Sequence, residues 1–286
     1  MAGILEGQVA VVTGAGRGFG KAIAGRLAAE GASVALVSRS QDQLDLAVSE
    51  ITEAGGKAVA APADVTNRED VARAVMAAES ALGPITLLIN NAGVPGPFGP
   101  LSEIDPDRWW AAQAVHIKAP VLFLNEILPG MIARKSGRVI IVSALAARMA
   151  AAYMSAYCTG KIAQSRLIEQ VALENREHGL SAFAIDPGFV FTNLANETLH
   201  DPAAQRWLPG MMARLQQQSG NPNASGDLER CAQRCVDLAS GRYDGLSGRY
   251  LELPDDLDAM LGGARPHWQK DGPPMTPSPE NPSTRR

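Results

Sequence analysis

Residues 8–31 limit most narrowly what this chain can fold into. Gln8-Val9-Ala10-Val11-Val12-Thr13 is a short apolar run of the kind that forms a strand buried on both faces. It passes directly into Thr13-Gly14-Ala15-Gly16-Arg17-Gly18-Phe19-Gly20. Residues 21–30 then read as a helix, rich in Ala and Leu, with Ile23 and Leu27 at helical spacing and Gly31 as its C-cap. Glycines in such a strand-to-helix turn let the backbone reverse sharply and approach a pyrophosphate, which meets the positive end of the helix. Taken alone, the T-G-x-x-x-G-x-G spacing also fits an ordinary strand-to-helix turn.

The alternation continues along the chain. Residues 32–37 read as a second strand, and Ser40 with Gln43 as a capping box opening a helix to Ala54. Residues 57–62 form a third strand, and Thr66 with Glu69 a second capping box for a helix to Leu82. Residues 84–89 form a fourth strand, which runs into Asn90-Asn91-Ala92-Gly93. Asp105-Pro106 reads as an N-cap with proline at N1, starting a helix towards Met131. Pro120 should kink that helix, or sit where the carbonyl it frees has another partner. Residues 138–142 form a fifth strand, 155–178 a helix and 180–185 a sixth strand, ahead of Asp186-Pro187-Gly188-Phe189-Val190-Phe191-Thr192. Residues 193–226 place Trp207, Leu208, Met211, Met212 and Leu215 among polar residues, the pattern of a mobile lid with apolar helix faces. A helix over 227–239 and a short strand over 249–253 follow. Continuous apolar strands alternating with helices specify an α/β fold with a doubly wound parallel (Rossmann-like) sheet, as a single domain over residues 1–262. Residues 263–286, rich in Pro, Ser and charge, read as a disordered tail.

Composition narrows the function classes. A net charge of −4 with no basic stripe argues against a nucleic-acid partner. The N-terminus has no basic segment followed by a long apolar run, so no secretory signal is read there. The longest apolar run, residues 139–147, is broken by Ser143 and too short to span a bilayer, so no membrane partner is expected. Three cysteines, Cys158, Cys231 and Cys235, suit a reducing cytoplasm better than a disulfide framework. Cys231 and Cys235, one helical turn apart with no second pair, read as small packing side chains, and no metal site is expected.

The chemistry concentrates at Tyr157-Cys158-Thr159-Gly160-Lys161. A spacing of four puts phenol and ammonium on one helix face. A lysine cation favours the phenolate, yet bringing a tyrosine from about 10 to near 7 takes roughly 4 kcal/mol, so the pair suits acid/base work beside a bound cofactor cation. At the end of the second strand an acidic residue would take the 2′-hydroxyl of NAD, whereas Arg39 stands there, with Arg17 in the glycine turn. NADP(H) is therefore expected in preference to NAD(H).

These residues together resemble the short-chain dehydrogenase/reductase family, of the single-domain NADP-preferring type, over about residues 8–253. The motifs, in order, are T-G-x-x-x-G-x-G at 13–20, Asp64-Val65, N-N-A-G at 90–93, Y-x-x-x-K at 157–161 and P-G-x-V-x-T at 187–192. The resemblance implies that Gly14, Gly18 and Gly20, with Phe19 in the same turn, line the pyrophosphate, and that Arg17 and Arg39 face the 2′-phosphate. Asp64 and Val65 would border the adenine, and Asn91 and Gly93 the ribose and nicotinamide side. Lys161 would hold the nicotinamide ribose, Tyr157 would pass a proton to or from the substrate oxygen, and Pro187, Val190 and Thr192 would hold the carboxamide. It also implies a homodimer or homotetramer.

Two departures stand out. The family's asparagine after N-N-A-G, which fixes a water behind the lysine, falls here on His116, which either relays a proton or fills space. The family's catalytic serine lies thirteen residues before the tyrosine, which is Ala144 here; Ser143 takes that role only if the strand end shifts. The leading expectation is an NADP(H)-dependent oxidoreductase interconverting a ketone or aldehyde and an alcohol on a medium-sized, largely apolar small molecule. The alternatives are non-redox proton transfer, elimination or carbon–carbon chemistry on the same scaffold, and a non-catalytic NADP-binding sensor or scaffold.

Overall fold

The computed structural model of the chain describes residues 3–265. Seven parallel strands form one sheet in the order β3-β2-β1-β4-β5-β6-β7. They are β1 (Val9–Thr13), β2 (Ser33–Val37), β3 (Lys57–Ala60), β4 (Leu87–Asn90), β5 (Gly137–Val142), β6 (Leu180–Ile185) and β7 (Tyr250–Leu251). The chain winds outward from β1 to β3, then returns to the other side of β1 with β4, so the winding reverses between β1 and β4. Ligands of open α/β sheets bind in the crevice at such a reversal, beyond the carboxyl ends of the strands. The fold is the single-domain, Rossmann-like sheet expected.

Both faces of the sheet are covered, which is why the strands carry little polar alternation. On one face α1 (Gly18–Ala29) and α2 (Gln41–Glu53) pack with Ile23, Leu27 and Leu44 over Val12, Leu36 and Ile89. On the other, α3 (Arg68–Leu82) contributes Val71 and Val75 over Val11, Val37 and Leu88. Leu87, Leu88 and Ile89 are fully buried, each worth ~1.5–3 kcal/mol relative to an exposed side chain.

Two helix starts differ from their capping-box patterns. Ser40 precedes α2 but its side chain makes no capping hydrogen bond. The helix after β3 begins one residue later than Thr66 suggests, because the Asn67 side chain accepts from the Asp70 N–H while Thr66 is drawn to Asp64. Asp105 caps α4 (Pro106–Gln113) as expected, accepting from Asp107 N at 2.9 Å.

From α4 the chain runs through a π-turn (Ala114–Lys118) into α5 (Ala119–Arg134). Pro120 explains the turn. It lacks the N–H that would bond the carbonyl four residues back, on His116, and that carbonyl instead accepts from Gln164 Nε2 at 2.9 Å. Residues 106–134 are together long and apolar enough to match a membrane-crossing helix, but their inner side, with Phe123, Leu124, Ile127 and Met131, belongs to the core beside the sheet.

Helix α6 (Ser155–Asn175) lies against this arm, joined by Trp109 Nε1 to Ser155 Oγ at 3.2 Å and Gln113 Nε2 to the Ala156 carbonyl at 2.9 Å. After β6, three short helices, α7 (Asn193–His200), α8 (Pro202–Trp207) and α9 (Pro209–Ser219), occupy the stretch expected to be a lid. Helix α10 (Asp227–Ala239) buries Cys231 and Cys235 on the face that meets α1. A last helix not foreseen in the sequence, α11 (Leu257–Leu261), is capped by Asp256, which accepts from Ala259 N. The tail from residue 266 onward lies outside the described residues.

Candidate active site

The crevice at the winding reversal is built from two backbone turns bound to each other. Thr13 Oγ1, at the end of β1, accepts the N–H groups of Asn91 and Ala92 at 2.9 and 3.1 Å. Asn91 Nδ2 donates to the carbonyls of Thr13 and Gly14 at 2.9 and 3.3 Å. Asn91, expected along the cofactor, therefore also braces the glycine turn. Gly14 has φ +66°, and a Cβ on Gly20 would stand 2.3 Å from the Gly14 carbonyl oxygen, so the turn admits no side chain at either place. The first turn of α1 has neither a side-chain cap nor an acidic residue. Its N–H groups and helix dipole are thus open to an anion, which fits a pyrophosphate.

The adenosine side is less uniform than the sequence suggests. Arg39 is exposed at the end of β2. Its charge helps hold the Asp64 carboxyl below the ordinary value, after the larger effect of the Thr66 N–H and hydroxyl, both bonded to Asp64 Oδ1. Val65 is partly buried beside it. Arg17 does not stand with Arg39. Its guanidinium is paired with Glu197 of α7 at 2.8 Å, because the lid brings an acid over the glycine turn. Thr192, just before α7, closes over the same turn, 3.5 Å from where a Cβ of Gly18 would be.

Tyr157 and Lys161 share the face of α6 turned towards this crevice. The Lys161 ammonium lies 5.6 Å from the Tyr157 ring centre and donates to the Val142 carbonyl at 2.9 Å. Burial pulls Lys161 down to about 8. Burial pushes the Tyr157 phenol up rather than down, with a further push from Asp186. The chain alone therefore does not make a ready phenolate, consistent with a cofactor cation being needed to complete the pair.

His116 sits beneath Tyr157. Its ring meets the Tyr157 ring edge-on at 5.6 Å, and its Nε2 is 2.9 Å from the Val94 carbonyl. The ring is fully buried and its Nδ1 has no partner among the described residues. Burial, with Lys161 nearby, pulls its pKa down to about 3. A histidine so held stays neutral near pH 7. Gly93 lies against its Cε1, 3.5 Å from where a Cβ would be.

Ser143 does not reach the substrate side. Its buried hydroxyl donates to the Lys161 carbonyl at 3.2 Å. The strand end does not shift: Ala144 stays extended at φ −171° and ψ 164°, so the alternation of side chains continues and Ala144 takes the other face. Tyr250 fixes that geometry by donating its hydroxyl to the Ala144 carbonyl at 2.9 Å. The Ser143 hydroxyl, preferred in the sequence as carbonyl donor, is thus engaged with the Lys161 carbonyl on the face opposite Ala144.

Above Tyr157 the lid supplies an apolar roof. Tyr157 and Cys158 join Phe98, Met154, Leu208 and Met212 in one cluster. Trp207 meets Tyr153 at 5.0 Å between ring centres. Tyr153 holds φ +66°, an uncommon conformation for an aromatic residue, and its carbonyl accepts the Gly99 N–H at 2.9 Å. Pro187 and Val190 are buried in the turn beneath.

Several residues of this site escaped the sequence reading. Thr13, Gly160, Gln164, Asp186 and Asp227 act through contacts between distant segments. Of these, Thr13, first in the glycine-turn motif, and Gly160, a glycine inside a helical pattern, carried a local signal.

Comparison with known proteins agrees with this geometry. The family model described as short chain dehydrogenase matches residues 8–203. A short chain dehydrogenase of Pseudocercospora fijiensis is 35% identical over 91% of this chain and 84% of its own. An uncharacterized oxidoreductase of Bacillus subtilis is 34% identical over 88% of this chain and 99% of its own. A metagenomic short-chain oxidoreductase solved in complex with NADP is 31% identical over 87% of this chain and 97% of its own, with a TM-score of 0.70. With the family model spanning most of the sheet and these relatives matching along nearly the whole length, the chain belongs to the short-chain dehydrogenase family of oxidoreductases.

Proposed function

We propose that this protein is an NADP(H)-dependent oxidoreductase that interconverts a ketone or aldehyde and an alcohol on a medium-sized, largely apolar small molecule. The observation that carries this reading is the placement of Tyr157 and Lys161 on one face of α6, under an apolar roof and beside a glycine turn open to a pyrophosphate. The related oxidoreductase solved in complex with NADP supports the choice of cofactor, and Arg39 supports the phosphorylated form.

In this reading Gly14, Gly18 and Gly20 with the α1 N-terminus hold the pyrophosphate, and Arg39 the 2′-phosphate. Lys161 holds the nicotinamide ribose, and Pro187, Val190 and Thr192 the carboxamide. The bound cofactor supplies or takes up a hydride. Tyr157 delivers its hydroxyl proton to the carbonyl oxygen in reduction and recovers it in oxidation, and Lys161 stabilises the phenolate in between. His116 keeps the Tyr157 ring in place and stays uncharged. With Ala144 at the serine position, Tyr157 is the side-chain donor to the carbonyl oxygen. The roof of Phe98, Met154, Leu208 and Met212 excludes water and favours apolar substituents. A homodimer or homotetramer in the cytoplasm completes the proposal.

The test follows NADPH absorbance across a panel of ketones and aldehydes, with wild type beside Tyr157→Phe and NADH in parallel. NADPH consumption by the wild type and silence in the variant are expected. Substantial turnover by Tyr157→Phe would remove Tyr157 from its role, and product formed without cofactor oxidation would move the chain to non-redox chemistry.

A further inference from the structure

Three segments far apart in the chain meet at the rim of the crevice, each through a residue that stands next to one of the roof. They are the loop after β4, with Gly99, the turn before α6, with Tyr153, and the end of α8, with Trp207. The Gly99 N–H donates to the Tyr153 carbonyl at 2.9 Å. The Tyr153 and Trp207 rings lie 5.0 Å apart between centres and are tilted by 37°. A Cβ on Gly99 would stand 3.4 Å from Trp207 Nε1 and 3.5 Å from its Cδ1, so one edge of the indole rests on the Gly99 backbone. The Arg206 guanidinium lies 4.6 Å from the Trp207 ring centre. The chain neighbours of these three residues, Phe98, Met154 and Leu208, are buried in the cluster against which Tyr157 packs.

Tyr153 holds φ +66°, a conformation that persists outside glycine only where the surroundings enforce it. Its side chain does not do so by being buried, since Tyr153 is 40% exposed. What the strained backbone gains is the position of two groups: the carbonyl that meets Gly99 and the ring that meets Trp207.

We propose that Tyr153 and Trp207 are positioning residues that clasp the lid to the other two segments and so close the roof over Tyr157, which makes them determinants of specificity for carbonyl compounds with a bulky apolar substituent. This rests on the oxidoreductase reading above and adds the residues that discriminate among its substrates. Neither ring belongs to the chemistry. Each acts through the next residue in the chain, because successive Cα atoms are held at a fixed separation. When Trp207 leaves Tyr153, Leu208 leaves the roof with it, and Gly99 loses the indole edge that covers it. An apolar substituent gains from the roof only while the roof excludes water. A small carbonyl compound reaches Tyr157 without extending to the roof, and depends on the clasp less. An aromatic pair of this kind favours the closed lid by about two- to tenfold. That is enough to bias closure and still lets the lid open for product release.

The experiment compares wild type, Trp207→Ala, Trp207→Phe and Tyr153→Gly as full chains. Tyr153→Gly removes the ring while suiting the backbone conformation. Steady-state kinetics with NADPH use two ketones of different apolar bulk, benzylacetone and butanone. Hydrogen exchange read by mass spectrometry follows the segment containing Gly99, without ligand. In Trp207→Ala and Tyr153→Gly, kcat/KM for benzylacetone should fall about tenfold relative to that for butanone, chiefly through KM. Trp207→Phe keeps a ring against Tyr153 and should hold the ratio within about threefold of wild type. The Gly99 segment should exchange faster in Trp207→Ala, while β4 exchanges as in the wild type. An equal fall for both ketones, which a general loss of stability would give, overturns the inference, and so does a Gly99 segment as protected in Trp207→Ala as in the wild type. Should Trp207→Ala not fold, Tyr153→Gly carries the kinetic comparison. Absence of NADPH oxidation with every carbonyl compound of the panel removes the oxidoreductase reading; the exchange measurement then decides alone whether the clasp closes the roof.

Discussion

The imidazole of His116 occupies the space that a side chain at position 160 would need: a Cβ on Gly160 would stand 2.7 Å from the His116 Cβ and 2.9 Å from its Cδ2. The two positions lie on different helices, one on the π-turn before α5 and one on α6. A bulky residue beneath Tyr157 is thus matched by the smallest residue one position before Lys161.

Gly160→Ala tests that match. In an open helix the change gains about 1 kcal/mol. Here the methyl meets the His116 ring and backbone-near atoms, and overpacking of this kind costs about 1–3 kcal/mol. Urea unfolding should show Gly160→Ala destabilised, and the loss should largely disappear when His116→Ala is added. Equal losses with and without His116 would separate the two residues energetically.

Ala144→Ser places a hydroxyl on the strand-end face that Ser143 does not reach. An added donor to the carbonyl oxygen is worth on the order of 10²-fold in kcat where the geometry is right. Steady-state kinetics with the best substrate of the carbonyl panel should show a faster Ala144→Ser enzyme. Ser143→Ala should leave kcat within about threefold while costing about 1 kcal/mol of stability, because its hydroxyl serves the Lys161 carbonyl. A large drop in kcat for Ser143→Ala would return the catalytic role to Ser143.

His116 gives a pH signature. Its folded-state value, about 3, lies below the ordinary 6.5. Between those values the unfolded chain binds the proton and the folded chain does not, so this residue's contribution to stability is lost as pH falls below 6.5. Relative to His116→Asn, the wild type should lose about 2 kcal/mol between pH 7 and pH 5. Denaturation curves for both proteins at the two pH values measure it. Parallel behaviour of the two would mean that His116 is protonated in the folded protein.

Arg17 and Arg39 should part company in cofactor binding. Arg39 is exposed at the end of β2, whereas Arg17 is paired with Glu197 of the lid. Arg39→Ser should weaken NADP⁺ binding about 10-fold or more and leave NAD⁺ binding nearly unchanged, as expected for a hydrogen-bonded charge pair. Glu197→Gln frees Arg17, and should tighten NADP⁺ binding by a smaller factor. Equal losses for NADP⁺ and NAD⁺ in Arg39→Ser would assign Arg39 to something other than the 2′-phosphate.

The sheet, the glycine turn and the Tyr157–Lys161 face were legible in the sequence because each depends on local spacing: apolar runs for strands, glycine positions for the turn, a spacing of four for the helix face. The boundaries of β6 and α10 follow the same local logic. Pro120 was legible as well, since a proline that frees a carbonyl calls for a new donor. What the sequence could not name was the donor, Gln164, which sits on another helix. The orientation of Ser143 turned on whether the strand stayed extended through Ala144, and that is set by Tyr250 from a strand more than a hundred residues away. The partner of Arg17 was hidden for the same reason, because Glu197 comes from the lid. His116 stands edge-on to Tyr157, and its neutrality comes from burial, which no single-residue property reveals.

The central claim is that this site moves a hydride from the cofactor to a carbonyl carbon while Tyr157 supplies the proton. The most direct measurement is isotope transfer. NADPH deuterated at C4 on the transferred face is incubated with a reducible carbonyl compound, and the alcohol is examined by mass spectrometry and NMR, for wild type and Tyr157→Phe. The account predicts one deuterium on the carbinol carbon with the wild type, matched by an equivalent of NADP⁺, and almost none with the variant. Alcohol without the label, or labelled alcohol formed equally fast by Tyr157→Phe, would contradict it.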